Sequence, residues 1–362
     1  MWTDLGPAPG QDEIEVTVIG PGHGESVVVH LGSGSWLVVD SCTDNSGGRR
    51  GSAPLRYLRE IGVDTRSAVK LVVVTHWDDD HVSGIADLLS ACEAAEVCFG
   101  LSLTKREFAR FIESSSIGTA ATSGANVSEF GRVLRILHDR GRPIRAAVPG
   151  RTILGTPRVT SWSPSDEEML TFLKFVAESQ PKAGEPLRKA VPGSPNLTSV
   201  VLTVDWADVS VLLGADMENH ADARRGWSAV VSEASRIGCK KSTFVKIPHH
   251  GSHSGHDVRM WRAMLEPNPI SVIAPFGRGP IDKRPPKSSD VRRINTLSSR
   301  VFLTAKRGVG QSSKKDAAVA RSLREGSIRL FGEKPPFGLV RSRRKPGGAW
   351  HHSLFGTARQ AK

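Results

Sequence analysis

Five ionisable side chains within six residues form the part of this sequence best suited to chemistry: His76, Asp78, Asp79, Asp80 and His81. Carboxylates this close together repel one another unless a cation lies among them. Imidazole nitrogens combined with carboxylate oxygens suit zinc, and a larger share of oxygen shifts the preference toward manganese or iron. The alternative is a solvated acidic turn that caps the next helix. Histidines on both sides of the acidic run favour a metal site.

A buried strand and a helix are predicted to position this cluster. The apolar run Leu71–Val74 comes directly before it and is typical of a strand buried on both faces. After it, Ile85, Leu88 and Leu89 recur at helical spacing, which predicts a helix beginning near Val82. A loop between two such elements is held rigidly and can present reactive side chains.

Two later segments also end in potential metal ligands. The apolar run Val209–Leu213 leads to Asp216, and Thr243–Ile247 leads to His249 and His250. We therefore expect ligands from three separate strands to gather at one edge of a sheet, as in a dinuclear metal site.

The other segments predict a mixed α/β chain. Residues 14–40 contain an antiparallel meander whose third strand ends on Asp40. Residues 101–140 predict two helices with a polar interruption, and 164–178 a further helix that opens with a capping-box pattern. Two loops are predicted as well: 180–195, which is long enough to be a lid or simply disordered, and 277–293, a basic loop between two strands.

The composition fits a soluble globular protein with a sizeable core. The chain has 362 residues, of which 38% are hydrophobic and 24% charged. No apolar run approaches the length of a membrane span, and the N-terminus lacks the pattern of a signal peptide. The four cysteines show no CxxC spacing, which argues against a cysteine zinc site. We therefore expect a cytoplasmic protein.

The positive charge is concentrated at the C-terminal end. The formal net charge is +12, and residues 278–362 hold 21 Lys or Arg against 5 Asp or Glu. Residues 1–277 hold 28 against 32, so the whole excess lies in the last quarter. This quarter is a candidate surface for nucleic acid. The alternative is a solvated, disordered basic tail.

The combined motifs resemble those of the metallo-β-lactamase superfamily. They are strand–His-x-Asp-x-Asp-His, Gly-Ala-Asp and His-His-Gly-Ser, with support from the turn Gly20–Glu25, from Asp40 and from Asn196–Ser199. Within that superfamily the chain is most similar to the hydrolase domain of the ComEC-type DNA-uptake proteins and its free-standing relatives. The resemblance covers about Ile14 to Ala305.

This resemblance implies an α/β fold, the αββα sandwich, with two mixed sheets packed between helices and the metal site at one edge of the paired sheets. We expect the hydrolase domain at residues 1–305, with a helical insertion at about 101–195. Residues 306–362 would be a basic extension, partly mobile, whose β-like segment near 338–354 could pair back onto the sheet.

The resemblance also implies the ligands of two divalent metal ions, with zinc favoured and manganese as the second candidate. His76 and Asp78 would bind the first ion, Asp80 and His81 the second, and Asp216 would bridge them. One of His249 and His250 would complete the second site, with His250 favoured. Asp78 stands where most of the superfamily has histidine, which agrees with the ComEC-like branch and makes the first site more anionic. No clear histidine ligand for the first ion lies between His81 and Asp216, so a mononuclear enzyme stays open.

Further roles follow for the remaining polar residues near these motifs. Asp80 could orient the attacking hydroxide, and His249 or His253 could protonate the leaving oxygen. His23, Asn196 and Ser252 are candidate substrate contacts. Asp79 is expected to point away from the metals.

The favoured function is a metal-dependent hydrolase, a phosphodiesterase or nuclease that uses a metal-bound hydroxide. The first alternative is a hydrolase of a small ester: a lipid or cyclic-nucleotide phosphodiester, a lactone or a thioester. The second is a non-catalytic, metal-stabilised binding module. Neither a protein partner nor the natural substrate can be read from the sequence.

Overall fold

The computed structural model describes residues 5–22, 24–44, 51–116, 125–179, 195–277, 283–305 and 337–361. Its strands are β1 (Ile14–Gly22), β2 (Gly24–His30), β3 (Trp36–Val39), β4 (Thr43–Asp44), β5 (Gly51–Ser52), β6 (Val69–Val74), β7 (Glu96–Gly100), β8 (Arg145–Ala147), β9 (Arg151–Leu154), β10 (Arg158–Ser161), β11 (Leu202–Trp206), β12 (Val209–Leu213), β13 (Ser242–Lys246), β14 (Leu265–Ile273), β15 (Arg300–Leu303), β16 (Gly338–Arg344), β17 (His351–Gly356) and β18 (Arg359–Gln360).

The α-helices are α1 (Ala53–Glu60), α2 (Thr65–Ala68), α3 (Asp79–Val82), α4 (Ile85–Ala91), α5 (Arg106–Ser116), α6 (Ala125–Arg140), α7 (Asp166–Glu178), α8 (Gly226–Ile237), α9 (Val258–Met264) and α10 (Ser288–Asn295). Short 3₁₀ helices span Leu101–Thr104, Pro195–Thr198 and His249–Gly251. No helix in these described parts of the chain is long and apolar enough to cross a membrane.

Two eight-stranded mixed sheets organise the described chain. The first has the strand order β17-β16-β1-β2-β3-β6-β7-β8, and the second has the order β18-β15-β14-β13-β12-β11-β10-β9. The N-terminal meander is antiparallel, whereas β3, β6, β7 and β8 run parallel to one another. In the second sheet, β12 to β15 are likewise parallel. Parallel neighbours end at the same edge of a sheet, so each sheet collects loops at one edge.

Three hydrophobic clusters fill the spaces between four layers. One lies between the two sheets and contains Val73 from β6 and Phe244 from β13. A second packs helices α1 and α4 to α7 on the outer face of the first sheet, around residues such as Phe108 and Phe130. The third packs α8, α9 and α10 on the second sheet, around Trp227. The arrangement is the predicted αββα sandwich.

Two of the predicted elements differ from the structure. The helix expected to begin near Val82 is two helices, α3 and α4, separated at Gly84, whose φ of 85° lies in the left-handed region. The predicted basic loop 277–293 was wrong in its second half, because α10 begins at Ser288. Asp290 stabilises that start by accepting a hydrogen bond from the backbone N–H of Lys287, a local signal that the basic composition obscured.

The segments around residues 101–195 and 338–360 join the sheets. Residues 101–195 contain helices α5 to α7, but they also contain β8, which extends the first sheet, and β9 and β10, which extend the second. Strand β16 pairs with β1, and β18 pairs with β15. Most of the predicted lid, residues 180–194, lies outside the described residues.

Candidate metal centre

The predicted ligands come from the ends of parallel strands in both sheets. Strand β6 of the first sheet leads into His76–His81, whereas β12 and β13 of the second lead to Asp216 and His250. The prediction that all three strands share one sheet was therefore wrong. Apolar runs show that a strand is buried but not which sheet contains it. The site lies where the corresponding edges of the two sheets meet.

Four predicted ligands converge on one point. One donor atom from each of Asp80, His81, Asp216 and His250 lies within 4.8 Å of the others. Nε2 of His250 is 3.1 Å from Oδ2 of Asp216 and 3.4 Å from Oδ2 of Asp80. Nε2 of His81 is 3.5 Å from the same Asp216 oxygen. Two imidazoles and two carboxylates facing one another are compatible with binding a divalent metal ion.

Three buried polar atoms of the predicted ligands have no hydrogen-bond partner within the described chain: Nε2 of His76, Nε2 of His81 and Oδ1 of Asp216. Nε2 of His81 belongs to the convergence, whereas Oδ1 of Asp216 lies on the side of Lys246, 3.6 Å from its Nζ. Buried polar atoms without a partner are rare because their desolvation is not offset. A cation among these atoms would satisfy them, so the residues present fit a metal ion.

The His81 ring is held from behind by Asp40. Nδ1 of His81 donates to Oδ2 of Asp40 at 2.8 Å, which leaves Nε2 facing the centre. The Asp40 carboxylate also accepts from the backbone N–H and from the hydroxyl of Thr75, both at 2.7 Å. A carboxylate behind a ligating histidine fixes its tautomer and raises its basicity. Asp40 has a φ of 58°, unusual for a residue other than glycine, and this strain is typical of functional positions.

The other two histidine rings are fixed in the same way. Nδ1 of His250 donates to the carbonyl of Ala274 at 2.9 Å, so its Nε2 also faces inward. Nδ1 of His76 lies 2.9 Å from the hydroxyl of Thr75 and 3.4 Å from that of Ser199. All three imidazoles therefore present Nε2 to the site.

The first metal position is less complete than the second. Oδ2 of Asp78 lies 3.7 Å from Nε2 of His76, and the Asp78 side chain is 34% exposed. Of the two, His76 belongs to a second group of potential ligands together with Asp40 and His81, and neither His76 nor Asp78 belongs to the four-residue cluster. The predicted second metal site, around Asp80, His81, Asp216 and His250, is therefore compact. The predicted first metal site beside it is more open to solvent.

Burial and charge determine how these groups titrate in the metal-free chain. Burial, assisted by the nearby His81, lowers the pKa of His76 to about 3. Burial and the neighbouring Asp80 raise the pKa of Asp78 to about 7. Burial works against protonation of His81 and His250, but the surrounding carboxylates, Asp216 foremost, together outweigh it and raise the pKa of both imidazoles well above the ordinary value. Protons on these two rings balance the carboxylates when no cation is bound.

Two buried charged residues support the centre and were missed by the sequence-based site prediction. Lys246, at the end of β13, is 1% exposed and forms an ion pair with Glu25. Its Nζ also donates to the carbonyl of Ala215 at 2.9 Å and lies 3.6 Å from Oδ1 of Asp216. The second Glu25 oxygen lies 3.4 Å from Nδ1 of His250. A lysine inside the apolar run 243–247 was the available signal, because a buried lysine requires a partner.

His249 points away from the cluster and toward Glu218. Its Nδ1 lies 2.9 Å from Oε1 of Glu218, and its Nε2 lies 3.2 Å from Nδ2 of Asn196. The hydroxyl of Ser252 is 3.0 Å from the same Nδ1. The backbone accounts for the divergence of the adjacent histidines, because both have positive φ values, 43° for His249 and 54° for His250. Nδ1 of His249 is therefore engaged by Glu218 and Ser252, and His249 is not one of the four clustered residues.

The cluster lies at the floor of a cavity of about 870 Å³. Asp78, Asn196, His249, Ser252 and His253 line it, so the structure places these predicted residues around one space. His253 is exposed and therefore lies at the rim. Asp79 is neither in the cluster nor in the cavity lining, and His23 lies outside the described residues.

Gly24, the first residue of β2, packs on the backbone of Asp80. Gly24 has a φ of 94°, and a Cβ added there would lie 1.7 Å from the carbonyl oxygen of Asp80. Only glycine permits this approach. The start of β2 therefore lies directly against the segment that carries Asp80 and His81.

Comparisons with known proteins agree with this fold. Residues 19–109 match the family model described as the metallo-beta-lactamase superfamily. Among solved structures, the chain is similar to the metallo-beta-lactamase fold protein YhfI from Bacillus subtilis, with 13% identity, 82% of this chain and 97% of that chain covered, and a TM-score of 0.42. It is also similar to MEM-A1, a subclass B3 metallo-beta-lactamase from a soil metagenome library, with 14% identity, coverage of 71% and 89%, and a TM-score of 0.35.

No protein of curated function matches the chain. The family-model match includes the turn at Gly24, the strand end at Asp40 and the whole acidic loop 76–81. Residues 19–109 thus match the metallo-beta-lactamase superfamily model, and the two-sheet αββα arrangement is consistent with that fold.

Proposed function

We propose that the protein is a metal-dependent hydrolase that cleaves phosphodiesters and acts as a nuclease. The observation that carries the proposal is the convergence of Asp80, His81, Asp216 and His250 beside a large cavity that three of them line, with buried polar atoms that lack a hydrogen-bond partner among the described residues. A divalent ion held there would supply Lewis-acid polarisation of a phosphoryl oxygen and lower the pKa of a water molecule. The nitrogen and oxygen donor set favours zinc, with manganese as the second candidate.

His249 is proposed to carry the proton in this reaction. Its Nδ1 donates to Glu218, which orients the ring, while Nε2 lies beside Asn196 and the residue lines the cavity. This arrangement places an imidazole where it can exchange a proton with the leaving oxygen. His253 at the rim is the second candidate for this role.

The basic C-terminal quarter supports an anionic substrate. One wall of the cavity comes from residues 283–293, within the region where the net positive charge lies. Some of the arginines nearer the C-terminus make contacts within the fold. Arg341 donates to the carbonyl of Leu5 at 2.6 Å, and Arg343 pairs with Glu15 at 2.8 Å. The cavity wall is therefore the better candidate surface for a phosphodiester.

The test is hydrolysis by purified, metal-analysed protein of bis-p-nitrophenyl phosphate, DNA and RNA. We expect cleavage that excess chelator abolishes and that Asp80→Ala removes, whereas the neighbouring change Asp79→Ala retains it. Full activity in excess chelator contradicts the proposal. Cleavage of p-nitrophenyl acetate without cleavage of any phosphodiester favours a small-ester hydrolase instead.

A further inference from the structure

The cavity over the candidate metal centre has two chemically different sides. Its floor carries the carboxylates and imidazoles of the metal cluster. The facing wall, from the start of α10 and the segment before it, carries three cationic side chains: Lys283, Lys287 and Arg293. Phe276 also lines this cavity; it is half-buried, and its ring centroid lies 5.1 Å from that of His250.

Arg293 is already engaged by the protein. Its guanidinium donates to Oδ1 of Asp290 at 2.7 Å and to the carbonyls of Gly251 and Ser252 at 3.2 and 3.3 Å. It therefore braces the loop that carries His250. The second Asp290 oxygen accepts from the backbone N–H of Lys287 at 2.8 Å. Both oxygens of the Asp290 carboxylate therefore accept hydrogen bonds from the protein itself.

Lys283 and Lys287 differ from Arg293 because their ammonium groups are free. Both side chains are exposed, and within the described chain neither has a carboxylate in ion-pair distance. Unpaired ammonium groups on a cavity wall attract anions, and lysine binds phosphate as a point charge. The two ammonium groups share a cavity with the proposed metal site. Because the metal would hold the phosphate under attack, we expect the lysines to bind a different anionic group of the substrate.

We propose that Lys283 and Lys287 form a subsite for a phosphate of the substrate other than the phosphate attacked at the metal centre. The inference rests on the proposed hydrolytic function and narrows its substrate to a strand with successive phosphodiesters. Phe276, in the lining of the same cavity beside His250, adds an aromatic surface on which an unpaired base can stack. A single-stranded nucleic acid combines these three features, whereas a small ester with one phosphate reaches only the metal centre.

The test measures binding of a short fluorescein-labelled phosphorothioate oligothymidylate to the full-length, metal-loaded protein over a range of salt concentrations. Each phosphate contact that is lost reduces the slope of log affinity against log salt by about 0.7 for single strands. We therefore expect the double variant Lys283→Gln/Lys287→Gln to bind more weakly, with a slope shallower by about 1.4. The double change to arginine should retain the slope.

Lys240→Gln is the matched control. Lys240 is exposed and precedes β13, at the opposite end of that strand from His249, so its loss should leave the slope unchanged. Equal slopes for the wild-type protein and the double glutamine variant overturn the subsite, as does a wild-type protein that does not bind the probe. Hydrolysis of bis-p-nitrophenyl phosphate, which has a single phosphate, tests the proposed function separately. Lysine-dependent binding without that hydrolysis refutes the catalysis and leaves the subsite standing.

Discussion

The close approach of Gly24 to Asp80 predicts that one added methyl group disrupts the metal centre. In Gly24→Ala the new Cβ would lie 1.7 Å from the Asp80 carbonyl oxygen and 2.4 Å from its carbonyl carbon. Contacts of real Cβ atoms are not closer than 3.0 Å, so the two backbones must separate by about 1.3 Å. Neither partner is the flexible end of a side chain. The displacement must therefore move the loop that carries Asp80 and His81.

Gly62→Ala separates this effect from backbone strain. Gly62 also has a left-handed φ, 79°, but nothing lies within 4 Å of its added Cβ. Both variants incur about 1–2 kcal/mol for alanine in the left-handed region. Only Gly24→Ala adds overpacking, which costs about 1–3 kcal/mol more. A shift of this size at a ligand also lowers catalytic rates by about 100-fold.

The assays are denaturant unfolding of the metal-free proteins, metal titration and hydrolysis of bis-p-nitrophenyl phosphate. We expect Gly24→Ala to lose metal affinity and activity, and Gly62→Ala to retain both. If the two variants have the same metal affinity, the turn does not position Asp80, and the reasoning is refuted.

Three further changes probe the cluster directly. Asp80→Ala should abolish tight metal binding and Asp79→Ala should retain it, because only Asp80 faces the other ligands. Elemental analysis after dialysis measures the metal content of each variant, and equal contents would contradict the assignment. Asp40→Asn should weaken metal binding by about 10–100-fold, because it removes the carboxylate behind His81. Competition with a chromophoric chelator measures the affinity for metal, and an unchanged affinity would refute the role of Asp40 in supporting His81. The carboxylates raise the pKa of His81 and His250, so metal ions and protons compete for these two rings. The affinity for metal should therefore fall as the pH falls, and metal binding at neutral pH should release about two protons. Calorimetry in buffers of different ionisation enthalpy tests this release, and a heat independent of buffer would exclude it.

Local patterns in the chain contained most of the fold and many of the candidate site residues. Short apolar runs placed β6, β12 and β13, because strands buried on both faces are mostly apolar. The motif His-x-Asp-x-Asp-His with its later partners indicated the cluster, because carboxylates and imidazoles at such spacing have little use without a cation. The helix α10 was missed because its two buried apolar residues, Val291 and Ile294, stand in a segment of otherwise polar and basic composition.

Other properties of the site depend on residues far apart in sequence. His250 joins the cluster and His249 does not because both residues have positive φ values and because they contact Asp216 and Glu218, respectively. Two identical residues side by side in the sequence do not reveal this difference. The pairing of Lys246 with Glu25 links two different sheets.

The sequence by itself determined the chemistry available to this protein: buried strands that end in carboxylates and imidazoles, and a basic final quarter. Tertiary structure alone decided which of those groups meet. It brought four donors from two sheets together, turned His249 toward Glu218, and placed Lys283 and Lys287 in the cavity lining, where they have no ion-pair partner among the described residues. The physical reason is that residue types and spacing specify local conformation. Convergence depends instead on how the two sheets pack, which long-range burial and backbone strain determine.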